Sequence, residues 1–263
     1  LGNAPRVTEF LAVHATGKEI YRYNQNTKTF SETPLSAPIA YDFLTSDTDA
    51  EGNTFFWTST FSERKKMVDV TQYNFSGTKI LSWSTPASSP LQIFIANVLD
   101  TPEQEIILAP SGTSDVVYQL WSTTGKKLRE KTRGARHTGV LVAVDPASTT
   151  TDTDTLVTLV GNTVEHSRGT GEVFKQITLE AVEKAGSFAI ADVTGDGVSE
   201  YLVGPSKGQP SHARMYTTEG QLLKKWIAYD GGYQGGFSFV IADYTGEGLV
   251  DIATVPVSGT VPM

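Results

Sequence analysis

The chain has 263 residues, 39% of them hydrophobic and 19% charged, and carries a net charge of −8. That is too apolar and too weakly charged for a disordered chain, and it is long enough for one large all-β domain. The acidic balance speaks against nucleic acid, whose phosphates need clustered Lys and Arg, and zero cysteines exclude disulfides, thiolate catalysis and iron–sulfur clusters.

No apolar run nears the roughly 18–20 residues that a membrane helix needs. The opening Leu1-Gly2-Asn3-Ala4-Pro5 lacks the basic and apolar regions of a signal peptide.

In chain order, Arg6–Asn24 reads as strand, tight turn with Gly17, strand. Pro38–Thr60 reads as two strands around a long acidic turn, and Val68–Trp83 as a strand, a turn with Gly77 and a strand. The same pair of half-units follows in Leu91–Ala109 with Val116–Glu130 and its Gly125, and in Gly139–Gly161 with Val164–Leu179 and its Gly171. It recurs in Ser187–Gly204 with Ala213–Tyr229 and its Gly220. Phe237–Val257 is a first half-unit alone, and Leu179–Lys184 is a weakly helix-like connection. Glycine in the second half-units supplies the positive φ of a tight hairpin turn.

The pairs Ala96-Asn97, Ala143-Val144, Ala191-Asp192 and Ala242-Asp243 mark one position of the repeat, at steps of 47, 48 and 51 residues. Four short strands per unit of about 50 residues is the pattern of β-propeller blades. The chain begins with the second half of a unit and ends with the first half of one. The expectation is therefore a single all-β domain over 1–263, a five-bladed β-propeller of four-stranded blades. Its blades are 38–83, 91–130, 139–179, 187–229, and 237–257 completed by 6–24, so that pairing the N-terminal with the C-terminal strands closes the ring. The alternative is an open sandwich of the same strands; even repeat spacing favours radial packing.

The turn Asp192–Glu200 has the most chemical content. Oxygen ligands stand at positions 1, 3, 5 and 9 (Asp192, Thr194, Asp196, Glu200), the Val198 carbonyl is available at position 7, and Gly197 allows the bend. Such spacing suits a hard cation with six or seven oxygen ligands. Asp243, Thr245, Glu247, the Leu249 carbonyl and Asp251 repeat it. Asp47, Asp49 and Glu51 form a third candidate in uncertain register, whereas Leu99, Thr101 and Val144 leave the middle turns short of ligands. The competing reading is a metal-free turn in which Asp and Thr cap their own backbone.

These two loops, with the stretch from Val203 to Val255 that includes AYDGGYQGG, resemble the FG-GAP (VCBS) repeats of integrin-like β-propellers, whose D-x-[DN]-x-D-G-x-x-D loops hold calcium. The resemblance is degraded over the upstream units. It implies structural Ca2+ in the loops and a role in adhesion. Thr194 and Thr245 replace a carboxylate or amide of the family pattern, and Glu200 and Glu247 replace Asp, so weaker affinity is expected.

Enzyme signals are weak. Gly204-Pro205-Ser206-Lys207-Gly208 fits G-x-S-x-G, but a strand follows where the nucleophile elbow needs a helix. Ser62-Glu63-Arg64-Lys65 lies in a charged loop. His14, His137, His166 and His212 show no metal-binding spacing, and Asp42 is the one ambiguous carboxylate on an innermost strand. The chain therefore reads as a non-catalytic extracellular or cell-surface module that recognises a protein or a glycan. The alternatives are a subunit of a larger assembly, or a lyase or glycosidase. Tyr233, in a Gly-rich loop, is the expected exposed stacking platform for a sugar; Trp57, Trp121 and Tyr216 read as core.

Overall fold

A computed structural model describes the chain apart from residues 1–8, 14–18, 25–28, 36–37, 49–52, 102, 112–113, 138–139, 147–152, 183, 231, 244, 246 and 258–263. The described residues form 21 strands and no helix. They divide into two compact units, Val7–Thr138 and Gly139–Met263 with Leu1–Arg6.

The first unit opens with β1 (Glu9–Val13), β2 (Glu19–Asn24) and β3 (Thr29–Pro34), a three-stranded antiparallel sheet in that order. Two four-stranded meanders follow. One is β4 (Phe43–Thr48), β5 (Thr54–Ser62), β6 (Met67–Asn74) and β7 (Lys79–Pro86); the other is β8 (Leu91–Ala96), β9 (Glu105–Pro110), β10 (Ser114–Ser122) and β11 (Lys127–His137).

The second unit has two more. One is β12 (Leu141–Asp145), β13 (Thr155–Val160), β14 (Thr163–Ser167) and β15 (Val173–Thr178); the other is β16 (Ala185–Ala191), β17 (Glu200–Pro205), β18 (His212–Tyr216) and β19 (Leu222–Ile227). It ends with the two-stranded sheet of β20 (Phe237–Ala242) and β21 (Asp251–Pro256).

Burial grades across each meander in a propeller-like way. Second strands are enclosed: every residue of β9 and of β17 is buried. Their near-continuous apolar runs suit strands covered on both faces. Fourth strands lie outside, and β15 and β19 are exposed along most of their length. First strands of successive sheets approach one another, β4 with β8, β12 with β16, and β16 with β20. Adjacent sheets bury their apolar faces together: Val157, Ile177 and Tyr201 belong to one cluster, and Trp57, Ile106 and Trp121 to another.

The hairpin glycines do more than turn the chain. Gly77, Gly125, Gly171 and Gly220 all have φ between +80° and +88°. A Cβ on Gly125 would lie 2.5 Å from Trp83 of the preceding sheet, and one on Gly220 would lie 2.4 Å from the Thr178 carbonyl. The close approach lets Trp83 stack on Trp121 at 4.2 Å.

Two expectations change. The described residues of 179–184 are not helical; they hold a turn with Ala181 at φ +47°. The N-terminal piece has a further strand, β3, so that residues 9–34 make three strands where the sequence suggested two. In the hydrogen-bond ladders of the described residues, that sheet and β20–β21 are separate sheets.

Candidate metal centre

The loop between β16 and β17 is built by its own acids. Asp192 accepts the backbone N–H groups of Gly195 (2.7 Å), Asp196 (3.1 Å) and Gly197 (2.8 Å). Glu200, buried at the start of β17, accepts those of Val193 (2.8 Å) and Thr194 (3.1 Å) and the Thr194 hydroxyl (3.1 Å). Asp196 Oδ1 accepts the Val198 N–H at 2.8 Å. Gly195 and Gly197, at φ +75° and +87°, make the bends that fold the chain back on these carboxylates.

The result gathers one oxygen each of Asp192, Asp196 and Glu200 within 4.8 Å of one another. A carboxylate oxygen has about two acceptor sites, so capacity remains on Asp192 Oδ2, Glu200 Oε1 and Asp196. Ionised carboxylates this close repel. A hard divalent cation would offset that repulsion with ligands of the right chemistry.

The second loop repeats the hydrogen bonds. Asp243, buried, accepts from the N–H groups of Glu247 (3.2 Å) and Gly248 (2.8 Å), and Asp251 accepts from the Thr245 N–H (3.0 Å) and hydroxyl (3.2 Å). Asp243, Glu247 and Asp251 do not gather as the first set does; among the described residues, the first set is the one acidic group of three that closes. Thr194 and Thr245, expected as ligands, are donors to the last acid of each loop. The Leu249 side chain meets the first loop: its Cδ2 lies 2.5 Å from where a Cβ on Gly195 would be, so the second loop rests on the first. Val198 is exposed.

Asp47 lies in β4, where the Gln104 amide, turned nitrogen-first, donates to both carboxylate oxygens at 2.9 Å. Asp49 and Glu51 lie outside the described residues. Asp42 is exposed and accepts the Phe61 N–H.

Tyr233 is a correction. It is buried (3% exposed), donates its hydroxyl to the Gly236 carbonyl at 2.7 Å and packs on the Tyr229 ring at 4.9 Å. The Gly-rich loop folds the ring inward, so it presents no sugar-stacking face.

Two features escaped the sequence reading. Glu105, 2% exposed at the start of β9, accepts the Val98 N–H and the Thr101 hydroxyl, both at 2.9 Å. The signal for it was position 9 of the loop counted from Asn97. Asp145, at the end of β12, accepts the Ser199 hydroxyl at 2.9 Å and so ties the loop to the neighbouring sheet. Burial pushes the Asp145 carboxyl up, against the lowering pull of that hydrogen bond.

His166 of β14 and Tyr201 of β17 join the same two sheets deeper down, with Nε2 and Oη 2.6 Å apart. Burial, with the nearby Lys175 charge, lowers the imidazole to about 4; burial raises the phenol, and Asp145 and Glu219 add to that rise.

No protein-family model matches the chain, and no curated protein does. In fold it is similar to BBS1N in complex with ARL6DN: 14% identity and a TM-score of 0.53 for the lead-soaked crystal, over 97% of this chain and 76% of that one. The mercury-soaked crystal gives 16% and 0.53, over 93% and 74%. The allergen Mala s 1 of Malassezia sympodialis gives 11% and 0.50, over 92% and 86%. At these identities the likeness is one of fold alone, a propeller-like all-β architecture.

Proposed function

We propose that the chain is a non-catalytic binding module of the FG-GAP type, extracellular or at the cell surface, which recognises a protein or a glycan and holds calcium as a structural ion. The observation that carries this reading is the closed set Asp192, Asp196 and Glu200. These side chains would hold the ion, which would offset their mutual repulsion and fix the turn between β16 and β17 without taking part in a reaction. The loop at Asp243–Asp251 would bind more weakly, since its acids are less closely gathered. The repeat spacing supports a ring of five such sheets, the last made from 237–257 and 6–24.

A protein partner is the favoured ligand. The fold neighbour BBS1N is itself seen bound to a protein, ARL6DN. Outer strands here also expose apolar side chains, among them Phe174, Leu223 and Ile227, as a docking subunit would. With Tyr233 buried, no aromatic is assigned to a sugar.

Calorimetric titration of calcium into the chelator-treated chain tests the metal. One tighter site is expected, lost in Asp196→Ala, beside weaker binding at Asp243–Asp251 that the variant keeps; no heat up to millimolar calcium would remove that part of the reading. A glycan array probed in calcium separates the ligands: defined sugars bound would overturn the preference for a protein.

A further inference from the structure

Three of the connections that leave a fourth strand begin alike. The first residue after the strand donates its N–H to the residue just before the third strand: Ala87 to the Lys66 carbonyl, Leu179 to that of Asn162, and Ala228 to that of Ser211. The strand residues beside these bonds also pair alike, Pro86 with Met67, Thr178 with Thr163 and Ile227 with His212. Each connection then enters a first strand at a residue opposite a proline. These pairs are Leu91 with Pro110, Ala185 with Pro205, and Phe237 with Pro256. Ala87, Leu179 and Ala228 are therefore equivalent, and so are Leu91, Ala185 and Phe237. Leu108 and Thr254, each two before its proline, match in the same way.

What the three connections place between their sheets differs. Leu179 is 1% exposed, and Val182 packs against the same apolar cluster. After Ala228, the Tyr229 ring lies 5.8 Å from Phe237, and its hydroxyl donates to the Thr254 carbonyl at 2.8 Å. After Ala87 come only Ser88, Ser89 and Pro90. Ser88 stands at the Tyr229 position and lines a cavity of ≈ 380 Å³ over Leu91 and Leu108, with Pro110 and Val116 as apolar walls. Ligand pockets run from about 300 to 1,000 Å³. The whole lining belongs to the first unit.

The rim indicates the charge of the occupant. In a chain of net charge −8, the exposed hairpin between β5 and β6 carries Arg64, Lys65 and Lys66 in succession. Lys66 lines the cavity and pairs with Glu63; Asp115 is the one acid in the lining, and Arg64 and Lys65 outweigh it. We infer that the cavity receives an aromatic side chain from an acidic segment of a partner protein, as its counterpart holds Tyr229. This rests on the reading of the chain as a protein-binding module and gives that module a site.

The probes are p-cresol, which is the tyrosine side chain as a free molecule, and the capped tripeptides Glu-Tyr-Glu and Lys-Tyr-Lys. Each is titrated into the methyl-labelled full chain and followed by NMR. Millimolar p-cresol is expected to shift the methyls of Ala87, Leu91 and Val116, and not to do so in Ser88→Tyr, whose own ring takes the space. Glu-Tyr-Glu is expected to bind about two- to fivefold tighter than Lys-Tyr-Lys, as exposed charge pairs allow. That difference should vanish in Arg64→Ser with Lys65→Ser. No shift at these methyls, or equal shifts in folded Ser88→Tyr, overturns the inference and leaves the module reading to the calcium and glycan experiments. Equal binding of the two peptides overturns the acidic partner. Binding of p-cresol as tight as that of Glu-Tyr-Glu makes this a small-molecule pocket and overturns the protein partner. Shifts that grow with chain concentration alone assign a second copy and overturn it too. Should Ser88→Tyr misfold, cross-relaxation between the p-cresol ring and the Leu108 methyls of the unsubstituted chain decides: its presence supports the site, and its absence overturns it.

Discussion

Glu105 and Glu200 hold the same place in two different sheets. Each begins a second strand opposite an alanine, Ala96 or Ala191, and each accepts the backbone N–H of the second loop residue, Val98 or Val193. The carboxylate is thus a clasp for the turn in both sheets, and the loop at Glu105 keeps the clasp without the other acids.

Glu105→Ala should therefore destabilise the chain by about 2–3 kcal/mol, since it leaves a buried N–H without its acceptor. Glu105→Gln keeps an acceptor oxygen and should cost about 1 kcal/mol. Urea unfolding in calcium and in chelator checks this. Equal losses in both are expected, and a loss seen only in calcium would make Glu105 a ligand.

The hairpin glycines separate conformational strain from crowding. Gly171 has φ +88° with nothing within 4 Å of its Cβ position, and Gly125 has φ +84° with Trp83 at 2.5 Å. Gly171→Ala should cost about 1–2 kcal/mol for the left-handed backbone alone. Gly125→Ala should cost about 1–3 kcal/mol more, from overpacking against the indole. Equal urea midpoints for the two variants would show that Trp83 yields freely.

Acid should loosen the contact between β14 and β17. The buried His166 imidazole is held near 4, against 6.5 in the unfolded chain. The unfolded state takes the proton first, so this contribution is full above 6.5, is lost as pH falls below 6.5, and levels off near 4. The shift corresponds to about 3 kcal/mol at most. Asp145, raised in the fold, acts in the opposite sense and only as pH nears the ordinary carboxylate range. Urea midpoints between pH 7 and pH 4.5 measure the loss; His166→Gln should flatten most of it, and an unchanged slope would contradict the assignment.

The meanders were legible because strand patterning and turn glycines recur at fixed spacing, and backbone geometry demands glycine at Gly77, Gly125, Gly171 and Gly220. The acidic loop at Asp192 was legible for a like reason. What escaped depends on where a side chain turns. Tyr233 sits among glycines that suggest exposure, yet its ring finds more apolar surface against Tyr229 than in water. Glu105 carries no ligand signal, since Leu99 and Thr101 break the set around it, and its work is to satisfy a buried N–H. β3, Thr29–Pro34, alternates polar and apolar too weakly to stand out.

Thermal melting of the full chain across calcium concentrations, beside Asp196→Ala, tests the account most directly. A folded loop that binds the ion raises the melting temperature as RT ln(1 + [L]/Kd) requires. Asp196 is exposed and accepts one loop N–H, so its removal should spare the melt in chelator and abolish the rise. A melting temperature that stays flat through millimolar calcium, or one that rises equally in Asp196→Ala, would contradict a metal site at Asp192, Asp196 and Glu200.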